Sequence, residues 1–256
     1  MKGYASLINN TKRIFKIIFF SVIALSYSQG VFGGENEITL NSAAETPLSN
    51  SSQSGFLDEV AKEAFSRIGY RLNIENLPPE RGLKNSNVGL IDGELIRIKG
   101  LDKLYPNLIH VPESIMNLEF VVFSKNPLNL SNGWSDLSGK TVAHVNGWKY
   151  LEENIPSTAD ITKVGNATIL FNLLDKNRTD SVVYELWGGN WAVLKHSMKG
   201  IIVNSPPLAI KEMFIYLHKK HEGIIPKLSN AIRDMKNDGS YELLVKKHLI
   251  PLELQP

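Results

Sequence analysis

Glu94 and Arg97 stand three residues apart in "GLIDGELIRIKGLDKLYPN" (89–107), where a strand-like apolar run gives way to a loop. A guanidinium there can grip a carboxylate through two parallel hydrogen bonds. Unpaired charge at the end of a buried segment is expensive, so two states are open: Glu94 and Arg97 satisfy each other, or Arg97 waits for an anionic guest. Arg81, in "PPERGL", is a second candidate of the same kind, or an exposed arginine at a helix start. Gly147 and Trp148 lie between a strand and a helix start, where free backbone N–H groups favour an anion. All four tryptophans fall between residues 134 and 191, and Trp148 and Trp187 are pocket-wall candidates, with core packing the alternative.

Other chemistries find little support. "SGKT" (138–141) resembles the end of a phosphate loop, but position 134, where that motif needs glycine, is Trp. His218 and His221 are the one close histidine pair and have no neighbouring acid or thiol cluster of metal spacing. There is no cysteine and no G-x-S-x-G elbow. No catalytic residue, metal or cofactor is therefore expected.

Residues 1–33 are read as a secretory leader: Lys2, Lys12, Arg13 and Lys16 without an acid, the twelve apolar-rich residues "IIFFSVIALSYS", then small residues suited to cleavage after Gly30 or Gly33. Its loss reduces the 28 basic residues by 4 to 24 against 26 acidic, a net charge of −2. No polybasic block survives, which disfavours nucleic acid and anionic lipid as partners. Roughly 220 mature residues suffice for one large domain or two lobes without disulfides.

The elements that would position these residues alternate. "EITLNSA" reads as a strand. "GFLDEVAKEAFSRIG" reads as a helix, with Leu57, Val60, Ala61, Ala64 and Ile68 on one face and Gly69 as its stop. "YRLNIENL" (strand), "PPERGLKNSNVG" (turn and short helix), "LIDGELIR" and "LEFVVFS" (strands) follow. The same grammar then repeats: "GKTVAHVNG" (strand), "WKYLEENI" (helix), "ADITKVG" (strand), "NATILFNLLDKN" (helix capped by Asn166), "TDSVVYE" and "EMFIYLHKK" (strands). Ile225, Leu228, Ile232 and Met235 stripe a further helix, 237–239 break it, and Ser240 can cap a last one. Strand and helix in this rhythm imply βαβ units and a mainly parallel sheet.

"GFLDEVAKEAFSRIGYRLNIENLPPERGL", "GLIDGEL", "LSGKTVAHVNGW", "RTDSVVYE" and "AIRDMKNDGSYELLVKKHL", in this order, resemble the extracytoplasmic solute-binding proteins of family 3. The resemblance implies an α/β, two-lobed, periplasmic-binding-protein-like type II fold with two crossover hinge strands. Lobe 1 would comprise residues 35–122 and 214–256, lobe 2 residues 123–213, and the crossovers would be "EFVVFSKNP" and "EMFIYLHKK". It also implies a monomeric periplasmic receptor holding an amino acid or related carboxylate in the cleft for an ABC permease; a ligand-sensing domain for a membrane receptor and, further off, a dehydratase are the alternatives. In the family an arginine following the third strand clamps the ligand carboxylate, but that arginine comes later than Arg97 and after small hydroxyl residues. The Gly147 loop there carries Thr or Ser where this chain has Trp148, which stacks on a ligand or plugs the cleft. Glu185, with Tyr184 beside it, matches the acid that receives the ligand's α-ammonium; its alternative is a solvated acid at a strand end.

Overall fold

The computed structural model describes residues 36–254. The leader expected over 1–33 lies outside the described residues. Among the described residues no helix is long and apolar enough to cross a membrane.

Among these residues nine strands form one sheet. They are β1 (Asn36–Asn41), β2 (Tyr70–Glu75), β3 (Gly93–Ile98), β4 (Leu108–His110), β5 (Met116–Ser124), β6 (Thr141–Val145), β7 (Asp160–Val164), β8 (Ser181–Glu185) and β9 (Ile202–His218). Seven α-helices accompany them among the described residues: α1 (Phe56–Arg67), α2 (Pro79–Asn87), α3 (Lys149–Asn154), α4 (Ala167–Asp175), α5 (Leu186–Lys195), α6 (Ile225–Asn237) and α7 (Ser240–His248). The order is β2-β1-β3-β9-β5-β8-β6-β7, with β4 added to β9. β1 pairs in parallel with β2 and β3, and β6 in parallel with β7 and β8. Each half is thus the parallel product of βαβ crossovers. β9 and β5 join the halves, antiparallel to each other and to their neighbours.

β5 shows how the joint is packed. Successive side chains point to opposite faces, so Leu118, Phe120 and Val122 enter the larger core while Val121 and Phe123 enter a second one. The larger core holds the buried faces of α1 and α6 and also Leu151 and Ile155, so apolar packing runs along one face of the sheet through the crossover strands. The second core lies on the opposite face, between the sheet and α4 and α5, with Leu170, Phe171, Ala192 and Val193. The β5–β9 register shifts between Phe120 and Val122, a local irregularity midway along the two joining strands.

Most local expectations hold. The Asn166 side chain accepts from the Ile169 N–H at 2.9 Å, capping α4, and Ile225, Leu228, Ile232 and Met235 are buried along α6. Three details differ. β9 is one 17-residue strand beginning at Ile202, so this crossover is longer than "EMFIYLHKK". "LWGGNWAVLK" is a helix, α5, despite its adjacent glycines. Ser240 is the first residue of α7 and not its cap: Gly239 is the cap residue, Asp238 accepts the Ser240 N–H at 2.9 Å, and the Ser240 hydroxyl receives Arg67.

Candidate functional site

In open α/β sheets ligands gather at the carboxyl ends of the strands. Glu185 is the last residue of β8 and the N-cap of α5, its carboxylate accepting the backbone N–H of Trp187 at 2.9 Å and that of Gly188. The chain folds this way because a cap side chain relieves the unpaired donors of a first helical turn. Gly188 permits the approach: a Cβ there would lie 2.0 Å from Glu185 Oε1 and 2.9 Å from Tyr184 Cε1. Glu185 is only 5% exposed. Burial is the largest influence on its titration and raises its pKa from 4.5 to about 7; the two N–H bonds oppose that shift and the charge of Glu45 adds to it.

Glu45 belongs to the loop after β1, in the other half of the sheet, and its side chain also interacts with Tyr184. The Tyr184 hydroxyl is raised well above its ordinary value of 10.0, first by burial and then by the charges of Glu185 and Glu45. Loop and strand tip therefore bring two carboxyl groups to one phenol.

Aromatic rings back this place. Trp148 stacks on Tyr184, centroids 4.7 Å apart and planes 23° apart, and meets Phe120 of β5 edge-on at 6.1 Å. Phe120 continues to Tyr150 at 5.2 Å, Tyr150 to Trp134 at 6.0 Å, and the Lys211 ammonium lies 4.7 Å from the Tyr150 ring centre. Trp148 is thus held by packing as one ring of a wall that runs from a joining strand to the β8 tip.

Gly147, with φ of 85°, is exposed at the start of α3. Its N–H donates to Glu152 at 3.2 Å, so the helix supplies its own anion there. That bond, then Lys149 and Lys163, hold Glu152 at about 2.

Glu94 and Arg97 satisfy each other. Arg97 Nε donates to Glu94 Oε2 at 2.9 Å and Nη2 bonds the same oxygen, while Nη2 also reaches the Pro79 carbonyl at 3.3 Å. Glu94 is fully buried and also accepts Ser86 Oγ at 2.8 Å and Asn41 Nδ2 at 3.0 Å. Four donor contacts make this a satisfied buried carboxylate, and it ties the tip of β1 to α2 and β3. Gly82 of α2 lets the elements close: a Cβ would lie 2.0 Å from Asn41 Nδ2 and 2.9 Å from Glu94 Oε1. Arg81, beside it, is exposed on the first turn of α2.

Trp187 joins this place through its backbone, whose N–H bonds Glu185, and its side chain packs against the same apolar core as Phe120, Trp148 and Tyr150. It lines a cavity of about 510 Å³ together with Leu186, Asn190, the start of β9 and the chain's last described residues. Of the candidate residues, then, Glu185, Tyr184 and Trp148 gather at one place, to which Trp187 contributes its backbone N–H, Glu94 and Arg97 form their own pair, and Gly147 and Arg81 lie in other settings. Sequence reasoning passed over Glu45, Phe120 and Tyr150. The strand-tip rule could have found Glu45, which follows β1 by four residues in "AAETP".

No family model matches the chain. An uncharacterized protein of Shewanella oneidensis is 24% identical over 217 residues, covering 81% of this chain and 81% of its own. Among solved structures, the GluR0 ligand-binding core in complex with L-glutamate superposes with a TM-score of 0.73 at 12% identity, covering 85% of this chain and all of that one. A histidine kinase sensor domain with similarity to periplasmic binding proteins gives 0.70 at 14% identity over 84% of this chain and 97% of its own. The substrate-binding protein of an amino acid ABC transporter gives 0.64 at 16% over 83% and 99%. What these structures share with this chain is the fold: a two-lobed, periplasmic-binding-protein-like α/β architecture joined by two crossover strands.

Proposed function

We propose that this chain is an extracytoplasmic solute-binding receptor, exported by its leader, that captures a small amino-acid-like ligand between two lobes and delivers it to an ABC permease. The observation that carries this reading is the buried Glu185 carboxyl at the β8 tip with Glu45 facing it from the other half of the sheet. A carboxyl so placed gains most from a cation that neutralises it, and an ammonium-bearing ligand supplies one. Trp148 and Tyr184 give that ligand a flat wall, on which a cation is also favoured. Lobe 1 (35–122 and 214–256) and lobe 2 (123–213) would move as rigid bodies about β5 and β9, and a ligand touching both shifts the population toward the closed form. The ligand is bound and released unchanged, by a monomer, with no cofactor.

The test is a thermal-shift and calorimetry screen against basic, neutral and acidic amino acids, simple amines and small carboxylates, with the bound compound then identified by mass spectrometry. A ligand at a hundred times its Kd stabilises by about 2.7 kcal/mol, which raises Tm by roughly 5–10 °C in a domain of this size. The expected hits carry an ammonium group, lose affinity in Glu185→Gln and are recovered intact. Stabilisation by carboxylates lacking an ammonium overturns the assignment of Glu185; recovery of a converted compound overturns the receptor role.

A sensory role is a second reading, favoured by the likeness to the histidine kinase sensor domain. The two part at the partner: a transport receptor stimulates its permease when liganded, whereas a sensor leaves transport unchanged and alters a membrane receptor's output.

A further inference from the structure

β8, β5 and β9 lie side by side, and their register sets an acid and an ammonium on one face of the sheet. Phe120 of β5 pairs with Glu185 of β8 on one side and with Ala209 of β9 on the other, and Lys211, two residues on, pairs with Leu118. Paired residues point to the same face, as do residues two apart along a strand, so Glu185, Phe120 and Lys211 share the face that carries the larger core. Two strand spacings across and two residues along place the Cα atoms of Glu185 and Lys211 about 12 Å apart. Rings fill the interval: Trp148 meets Phe120 at 6.1 Å, Phe120 meets Tyr150 at 5.2 Å, and the Lys211 ammonium closes the row 4.7 Å from the Tyr150 ring centre. Lys211 is half-buried, and among the described residues its ammonium has no acidic partner. Contact with a ring satisfies a cation only in part. Arg97, the other cation expected to receive a carboxylate, is taken by Glu94, so Lys211 is the cation left for one on this face. With about 3 Å of contact at each end, a ligand reaching both residues must hold its own charges about 6 Å apart. In an α-amino acid the ammonium nitrogen and the carboxylate carbon are only about 2.5 Å apart, too close to span the interval. A spacer of three to five methylenes carries them about 5–8 Å apart, and the half-buried Trp148 and Tyr150 offer that spacer apolar surface.

We propose that Lys211 is the carboxylate-binding residue of the cleft and that the ligand is an ω-amino carboxylate, its ammonium at Glu185, its methylene spacer along Trp148 and Tyr150, and its carboxylate at Lys211. This rests on the receptor reading above and narrows it: the amino and carboxyl groups stand at opposite ends of the ligand, not on one carbon.

The probes are 4-aminobutyrate, 5-aminopentanoate and 6-aminohexanoate, titrated calorimetrically beside n-butylamine, n-pentylamine and n-hexylamine, which lack the carboxylate, and 2-aminopentanoate, which carries both groups on one carbon. At least one ω-amino carboxylate should bind about tenfold tighter than the amine of its own length, the worth of a charge-assisted hydrogen bond, and tighter than 2-aminopentanoate. Lys211→Met keeps an apolar stem against Tyr150 and removes the charge; it should erase that advantage and leave the alkylamine affinities unchanged. Lys211→Arg should restore most of it. Alkylamine binding that gains nothing from a terminal carboxylate, a gain that survives Lys211→Met, equal weakening of both series in that variant, or tighter binding of 2-aminopentanoate would each overturn the proposal and leave the receptor reading in place. Failure of every ammonium compound on the wild type overturns that reading and the proposal with it.

Discussion

Replacing Glu185 by glutamine tests the electrostatics of the strand tip directly. In the native chain the Glu185 carboxyl titrates near 7, against an ordinary value of 4.5, because burial outweighs the two N–H bonds it accepts. Between those two values the native state holds a proton that the unfolded chain has lost. Stability therefore falls as pH rises through this window: Glu185 costs least below about pH 4.5 and most above about pH 7. At 1.36 kcal/mol per pH unit, the contribution should change by about 2.5 kcal/mol between roughly pH 5 and pH 8. The substituted glutamine cannot ionise, yet its amide oxygen still accepts an N–H from the first turn of α5. The assay is urea unfolding of wild type and Glu185→Gln at both pH values. Near pH 5 the two proteins should differ little; near pH 8 the variant should be the more stable, by about 2 kcal/mol. Glu45→Gln should reduce the pH dependence, since Glu45 adds to the upward shift. A wild type and variant whose stability difference is the same at both pH values would falsify the assignment of a buried, proton-holding Glu185, and a variant that loses ground as pH rises would reverse its sign.

Three further outcomes follow from the same contacts. An ammonium ligand that ionises Glu185 on binding must release protons below about pH 7, so calorimetry in buffers of different ionisation enthalpy should detect proton release near pH 6, with affinity falling toward pH 5; binding without proton exchange contradicts contact with Glu185. Arg97→Ala leaves the fully buried Glu94 without its cation and should cost about 3–5 kcal/mol in chemical denaturation, much of it recovered by adding Glu94→Gln; a neutral Arg97→Ala would show the pair to be dispensable. Gly188→Ala drives a Cβ to 2.0 Å from Glu185 Oε1 and should cost about 1–3 kcal/mol and lower ligand affinity, whereas Gly165→Ala, with open space around it, should stay within about 0.5 kcal/mol; equal melting temperatures for the two variants would show that the α5 turn yields freely.

Local pattern determined much of this protein. Apolar positions at helical spacing located α1 and α6, alternation located β2, and Asn166 announced the start of α4 through its own side chain. Each of these signals is complete within a dozen neighbouring residues, which is why the sequence carries it. α5 escaped because Gly188 and Gly189 weaken a helix read in isolation. Tertiary packing outweighs that weakness: a Cβ at Gly189 would lie 2.2 Å from Phe123 Cζ, so closeness to the sheet is what those glycines provide. The partners of the charges were likewise out of reach. Glu94, the partner that Arg97 takes, is itself held by Asn41 and Ser86, and Asn41 arrives from 53 residues earlier through the β1–β3 pairing. Glu45 meets Tyr184 and Glu185 only because the two halves of the sheet are joined by β5 and β9. Periodicity is a property of neighbours in the chain, whereas the titration of a carboxyl is set by whatever the fold brings beside it; the first was written along the sequence, and the second exists only once the sheet has closed around it.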